Sequence, residues 1–189
     1  EDLVELLEVG GEEFLYYKAP HIDVAIIRGT TADEQGNITF EEESSVVDAR
    51  EIAMAAKASG GKVIVQVKYL ADSKSVNRND VIIPGIFVDY VVLSEQPETK
   101  HRQTPANFYD PAIAGQSRVM MEQSASYPLN ERKVIARRAA MELRPGDVVN
   151  LGIGIPEVVG SVANEEGFGD EFILTLEDGM IGGIHLGGA

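Results

Sequence analysis

Short apolar runs separated by glycine, proline and charged residues set the rhythm of this chain. Ile22-Asp-Val-Ala-Ile-Ile27 has the length and β-branched content of a buried strand. Asp33-Glu-Gln-Gly36-Asn37 reads as a turn, because Asp and Asn bond their own backbone and Gly tolerates positive φ. Ile38-Thr-Phe40 follows as a short strand. A helix is predicted from about Val46 to Ala58, capped by Ser44 or Ser45, with Val47, Ile52, Ala55 and Ala56 on its buried face. Gly60-Gly61 ends it. Lys62-Val-Ile-Val-Gln-Val67 and Val88-Asp-Tyr-Val-Val-Leu93 read as further strands, the second interrupted by Asp89. Strand, helix, strand, strand favours an open α/β sheet of mainly parallel order.

From about Ser94 to Ser126 the periodicity gives way to Pro97, Pro105, Asp110-Pro111 and Gly115, which reads as a long connection between domains. The expected division is residues 1–94, a linker over 95–126, and a second unit over 127–189. That second unit opens with a helix capped by Asn130 and carrying Val134, Ile135, Ala139 and Leu143, and Arg144-Pro145-Gly146-Asp147 breaks it. Val148-Val-Asn-Leu151 is a strand and Gly152-Ile-Gly154-Ile-Pro156 a tight loop. Pro156 suits the first turn of a helix that ends near Glu166-Gly167, and Phe172-Ile-Leu-Thr-Leu176 is another strand. Glu177 therefore falls at the carboxyl end of a strand, the edge at which open α/β sheets bind ligands.

Composition narrows the function classes. Among 189 residues, 16 Lys+Arg stand against 31 Asp+Glu, a formal net charge of −15. Binding to nucleic acid or an anionic membrane needs the opposite sign. The chain has no cysteine, so disulfides and thiolate metal sites are absent, and a cytoplasmic protein is expected. Apolar runs such as Val88–Leu93 are too short to span a bilayer, and Glu1-Asp2 is no signal-peptide start. No methionine opens the chain and a glycine-rich stretch closes it, so an internal piece of a longer polypeptide is expected. Glu41-Glu-Glu43 reads as a solvated turn before a helix.

Familiar catalytic signatures fail. Gly152-Ile-Gly154-Ile-Pro-Glu157 begins like a dinucleotide fingerprint, but Glu157 occupies the third glycine position and would oppose a pyrophosphate. Gly60-Gly61-Lys62-Val63 lacks the rest of a phosphate loop. His21, His101 and His185 show no metal-ligand spacing and read as structural or surface residues. No serine sits in a nucleophile elbow. What remains is Leu176-Glu177-Asp178-Gly179-Met-Ile-Gly182-Gly183, a carboxylate at a strand lip followed by glycines whose N–H groups could face a developing oxyanion. Such a carboxylate is either a nucleophile or a strand-end residue in solvent, and spacing leaves both open. The Gly152 and Gly154 loop is likewise either a pocket wall or a structural turn.

Asn150-Leu-Gly152-Ile-Gly154-Ile-Pro156 and Leu174-Thr-Leu-Glu177-Asp-Gly179-Met-Ile-Gly182-Gly183 are similar to the start of the β-type domain of family I coenzyme A transferases. The resemblance is strongest to single-chain propionate or acetate CoA transferases. Ile83-Pro-Gly-Ile-Phe-Val-Asp89 and Tyr109-Asp-Pro-Ala-Ile-Ala-Gly115 resemble the end of the α-type domain and the linker of the same enzymes. The resemblance implies that residues 1–94 are the later part of an α-type domain and 127–189 the start of the catalytic β-type domain.

In that family the glutamate of the E-x-G element is the nucleophile, which maps to Glu177 with Gly179 as its glycine, and Gly152, Gly154, Gly179 and Gly182 are candidates for the acyl-CoA pocket. The implied reaction is ping-pong transfer of CoA between a short-chain acyl-CoA and a carboxylic acid through a glutamyl-CoA thioester. Coenzyme A is then a substrate, and no metal or redox cofactor is implied. A hydrolase on the same scaffold and a non-catalytic acyl-CoA-binding or assembly subunit are the competing readings. The resemblance implies as partners the remaining parts of the same polypeptide and further copies in a homo-oligomer. Glu165, Glu166, Asp170, Glu171 and Asp178 would repel CoA phosphates unless they point away.

Overall fold

A computed structural model describes residues 3–72, 74–117, 126–175 and 181–183 of the chain. It divides into two units, residues 1–39 with 48–94, and residues 40–47 with 95–189.

The first unit opens with an antiparallel hairpin, β1 (Val4–Val9) and β2 (Glu12–Tyr17), registered from Val4 opposite Tyr17 to Val9 opposite Glu12. Gly10 and Gly11 turn it with φ of 63° and 86°, which a two-residue hairpin loop requires and glycine supplies without strain. The sequence reading assigned no element before Ile22; Gly-Gly between two apolar stretches is the signal that marks this hairpin. The remaining elements are β3 (Val24–Arg28), β4 (Thr31–Asp33), β5 (Ile38–Thr39), α1 (Ala49–Ala58), β6 (Lys62–Val67), β7 (Tyr69–Ala71), β8 (Val81–Ile83) and β9 (Tyr90–Leu93). Strands β3, β6 and β9 form a wholly parallel sheet in that order, while β7, β4, β5 and β8 form a mixed one.

Helix α1 packs on β3, β6 and β8. Ala25 and Ile27, then Val63, Val65 and Val67, are the buried alternation of the parallel sheet, and α1 contributes Ala49, Ala53 and Ala56. The helix begins three residues later than the sequence predicts, because Val47 sits at φ 43°, outside the helical region. Its inward face is also different: Ile52 is 46% exposed and the alanines face the core. An i, i+4, i+7 row of alanines lets the helix approach a valine-rich sheet more closely than an isoleucine would. Gly60 and Gly61 close α1 through N–H bonds to the carbonyls of Lys57 and Ala56.

In the second unit, α2 (Pro97–Lys100) leads into His101, which is fully buried with Nε2 3.0 Å from Glu43 Oε1. Gln103 is also buried and its Oε1 accepts the N–H of Asp110 at 2.8 Å. The stretch read from its polar composition as a connection thus carries buried side chains. Glu43 is likewise buried, because it faces His101 instead of extending a solvated acidic run.

Helix α3 (Glu131–Ala140), β10 (Val148–Asn150), α4 (Glu157–Glu165) and β11 (Ile173–Thr175) complete the described elements. Asn130 Oδ1 accepts the N–H of Lys133, so the predicted cap is present. The α3 face is rotated from the prediction: Lys133, Ala136 and Ala140 are buried, whereas Val134 and Ile135 are 58% and 50% exposed. Ala136 and Ala140 pack with Val158, Val159 and Val162 of α4, and Ala163 packs with Phe172 and Leu174. Gly160 lets α4 approach β11 closely: a Cβ there would lie 3.0 Å from Leu174 Cδ1, so that side chain would have to give by a few tenths of an ångström. Among the described residues no helix is long and apolar enough to cross a membrane.

Candidate active site

Strands β10 and β11 run parallel, with α4 as the crossover between them. A parallel pair joined in this way ends both strands at one edge, and the loops that leave that edge carry ligand sites. The last pair in register is Asn150 and Thr175. Asn150 Nδ2 donates to Thr175 Oγ1 at 3.2 Å, and that hydroxyl makes a long 3.5 Å contact to the carbonyl of Val149.

After Asn150 the chain turns through Gly152 and Gly154 into α4. Gly154 has φ 101°, a conformation in which side chains are strained. Among the described residues, neither glycine has an atom within 4 Å of where a Cβ would stand. The N–H groups of Gly152 and Gly154 have no acceptor among the described residues. After Thr175 the chain is back beside the strand at Ile181, which bridges Thr175 in antiparallel sense. Gly182 donates its N–H to Leu174 O at 2.7 Å with φ 82°, so that group is engaged with the strand and is not free to hold an oxyanion. Glu177 and Gly179 lie outside the described residues, as does His185. The structure therefore brings Gly152, Gly154 and Gly182 to the carboxyl edge of β10 and β11.

Two of the acidic residues flanking this segment in sequence are neutralised by α3. Lys133 Nζ donates to Glu165 Oε1 at 2.6 Å, to Tyr127 O at 2.8 Å and to Ser126 Oγ at 3.2 Å. Glu165 also accepts from Ser126 Oγ and the Tyr127 N–H. The Lys133 ammonium, followed by the Ser126 hydroxyl, holds the Glu165 carboxyl down at about 2 against an ordinary 4.5, despite the opposing effect of desolvation. Glu166 pairs with Arg137. Both carboxylates sit in the last turn of α4 and just past it, at the opposite end of the helix from the Gly152 loop.

From the sequence, Asn150 is read as part of a strand and as the first residue of the family-like Asn150–Pro156 motif, with no side-chain partner assigned. Its pairing with Thr175 depends on the register of two strands separated by the 22-residue connection 151–172. The available signal was an amide residue at a strand end immediately before a glycine loop.

An α/β chain with a glycine-lined carboxyl edge is consistent with the family that the sequence comparison identifies. Residues 1–94 match the family described as Coenzyme A transferase, and the chain belongs to that family. It is 52% identical to caffeate CoA-transferase of Acetobacterium woodii, over 97% of this chain and 35% of that protein. It is 44% identical to acetate CoA-transferase YdiF of Escherichia coli K12, over 97% of this chain and 34% of that protein. The crystal structure of acyl-CoA transferase YdiF from E. coli O157:H7 in a thioester complex with CoA superposes with a TM-score of 0.83 at 42% identity, covering 98% of this chain and 36% of that one. The chain spans about a third of the length of these relatives.

Proposed function

We propose that the protein containing this chain transfers CoA between a short-chain acyl-CoA and a carboxylic acid, with Glu177 as nucleophile. The supporting observation is the parallel β10–β11 pair, whose carboxyl edge carries the Gly152–Gly154 loop on one strand and is followed two residues later in the sequence by Glu177 on the other. Similarity to a caffeate and an acetate CoA-transferase, and to a YdiF structure described as a thioester complex with CoA, supports the same reading. Residues 1–94 form the later part of an α-type domain, 95–126 the connection, and 127–189 the start of the β-type domain.

A carboxylate oxygen of Glu177 attacks the thioester carbonyl of the donor, and the C–S bond breaks to release CoA thiolate and leave an acyl-glutamyl anhydride. Thiolate then attacks the glutamyl carbonyl, forming the glutamyl-CoA thioester and releasing the first carboxylate. An acceptor carboxylate reverses these steps. Each step exchanges one acyl substituent for another, so the cycle balances without metal or redox cofactor. A carboxylate is a modest nucleophile, and contacts to the distant nucleotide of CoA supply energy realised in the transition state. Gly152 and Gly154, whose N–H groups have no acceptor among the described residues, line the acyl-CoA pocket, Gly179 adjoins the nucleophile in sequence, and Gly182 shapes the return of the chain. The enzyme acts in the cytoplasm as a homo-oligomer.

The test is to incubate the complete protein with propionyl-CoA and no acceptor, reduce with borohydride, and map the modified peptide by mass spectrometry. The expected product is reduction confined to Glu177, and Glu177→Ala abolishes exchange while retaining the fold. Intact exchange with an unmodified Glu177 peptide refutes the assignment.

A further inference from the structure

We propose that the bare face of the β3–β6–β9 sheet seats a layer of helices from the part of the complete polypeptide that precedes Glu1; this rests on the reading of residues 1–94 as the later part of an α-type domain. The register sets Ile26, Ile64 and Tyr90 side by side in one row across the three strands, and Arg28, Gln66 and Val92 in the next row on the same face. Val24 lies on that face beside Lys62. Ile26 is 79% exposed, and Val24, Tyr90 and Val92 are exposed as well. On the opposite face Ala25, Ile27, Val63, Val65 and Val67 are all buried. The bare face is apolar along its central row, so it fits the apolar stripe of an amphipathic helix rather than a charged ligand.

A wholly parallel sheet is covered on both faces, because crossover helices lie against each of them. Here both connections lie on one side. Helix α1 belongs to the β3-to-β6 connection and packs on both strands, and the β6-to-β9 connection runs through β8 and the Gly85–Phe87 turn, which also pack on α1. Crossovers are right-handed, so strands laid down steadily from β3 through β6 to β9 keep them on the α1 side. A further strand beyond β9 would do the same. Helices reach the other face when strands run in the opposite order beyond the free edge of β3, as in a doubly wound sheet. Strands earlier in the chain meet that requirement. The β1–β2 hairpin pairs with itself alone, so these strands and their helices come before it. About two thirds of the length of the relatives lies outside the span matched here, which leaves room for such a layer.

Two probes on this face of the complete protein test the inference. Ile26→Cys is treated with iodoacetamide in native buffer, concentrated and strongly diluted, and in urea, and the peptide containing residue 26 is quantified by mass spectrometry. Native alkylation is expected to be about 100-fold slower than alkylation in urea and independent of dilution. Tyr90 is separately replaced by p-benzoylphenylalanine in protein assembled from isotopically light and heavy chains, irradiated, and the crosslinked peptide sequenced. It is expected to come from the same chain, at residues preceding Glu1. Alkylation of Ile26→Cys at the unfolded rate overturns the proposal, because the face is then open. A light–heavy crosslink, or protection lost on dilution, gives the face to a second copy and overturns it. A crosslink to residues following Ala189, or to any other part of the chain, does so too. These outcomes leave CoA transfer through Glu177 untouched. An intact mass that leaves no residues before Glu1 sinks the reading of residues 1–94, and this inference with it.

Discussion

Asp89 and Val63 hold each other twice, the N–H of Val63 donating to Asp89 Oδ2 at 2.8 Å and the N–H of Asp89 donating to Val63 O at 3.0 Å. The same carboxylate takes Lys57 Nζ at 3.0 Å and Lys62 Nζ at 3.2 Å. The charge that interrupts an apolar run is therefore the joint at which β9 enters the sheet beside β6.

Asp89 makes stability fall in acid. The Val63 N–H and then the Lys57 ammonium hold its carboxyl down at about 2 against an ordinary 3.8. A depressed folded value contributes stability that is fully present above the unfolded value and is lost as pH falls through about 3.8 toward about 2. Asp89→Asn should lower the urea midpoint at neutral pH and flatten its decline across that window. Parallel pH curves for the two proteins would show that the carboxylate has no such role.

Lys133→Met retains most of the buried stem of Lys133 and removes its charge. The Glu165 carboxyl should then move from about 2 back toward 4.5, read directly by carbon NMR titration. The acid loss associated with Glu165, which falls between about 4.5 and about 2, should move with it. An unmoved Glu165 titration contradicts this account.

Gly85→Ala and Gly60→Ala separate two reasons for glycine. A Cβ on Gly85 would lie 2.0 Å from Gln35 O, where the turn over Gln35-Gly36 presses on the backbone after Pro84. That contact is braced by Asn37, whose Oδ1 accepts the Gly85 N–H at 2.9 Å. Displacing backbone should cost about 3 kcal/mol. A Cβ on Gly60 would meet no described atom within 4 Å, so only its φ of 79° opposes a side chain and the alanine variant should cost about 1 kcal/mol. Equal losses in urea titrations would refute the steric argument.

Val162 is fully buried between α3 and α4. Val162→Ala should lower stability by about 2 kcal/mol, combining lost transfer energy with a residual cavity. Val134→Ala, on the exposed side of α3, should change it by less than about 0.5 kcal/mol. Denaturant midpoints check both, and the reverse order would place the α3 face where the sequence pattern put it.

Local chemistry determined much of this protein before any tertiary contact is considered. The Lys62–Val67 strand, the Gly60-Gly61 stop, the Asn130 cap and the β–α–β order around Gly152 and Gly154 follow from propensity and spacing over a few residues. The motif around Glu177 is read from the sequence as a family resemblance, and that residue lies outside the described part of the structure. Helix faces were less legible, because alanine and the longer aliphatics satisfy the same period and available space decides between them. Ile52, Val134 and Ile135 turn outward for that reason, while Lys133 turns inward because Glu165, Ser126 and Tyr127 O satisfy its ammonium. Tertiary structure alone decided that Asp89 closes a sheet, that His101 meets Glu43, and that Asn150 reaches Thr175. Each of these bonds joins residues at least 25 positions apart. Periodicity over one turn or one strand contains no information about such pairs; register and packing across the fold create them.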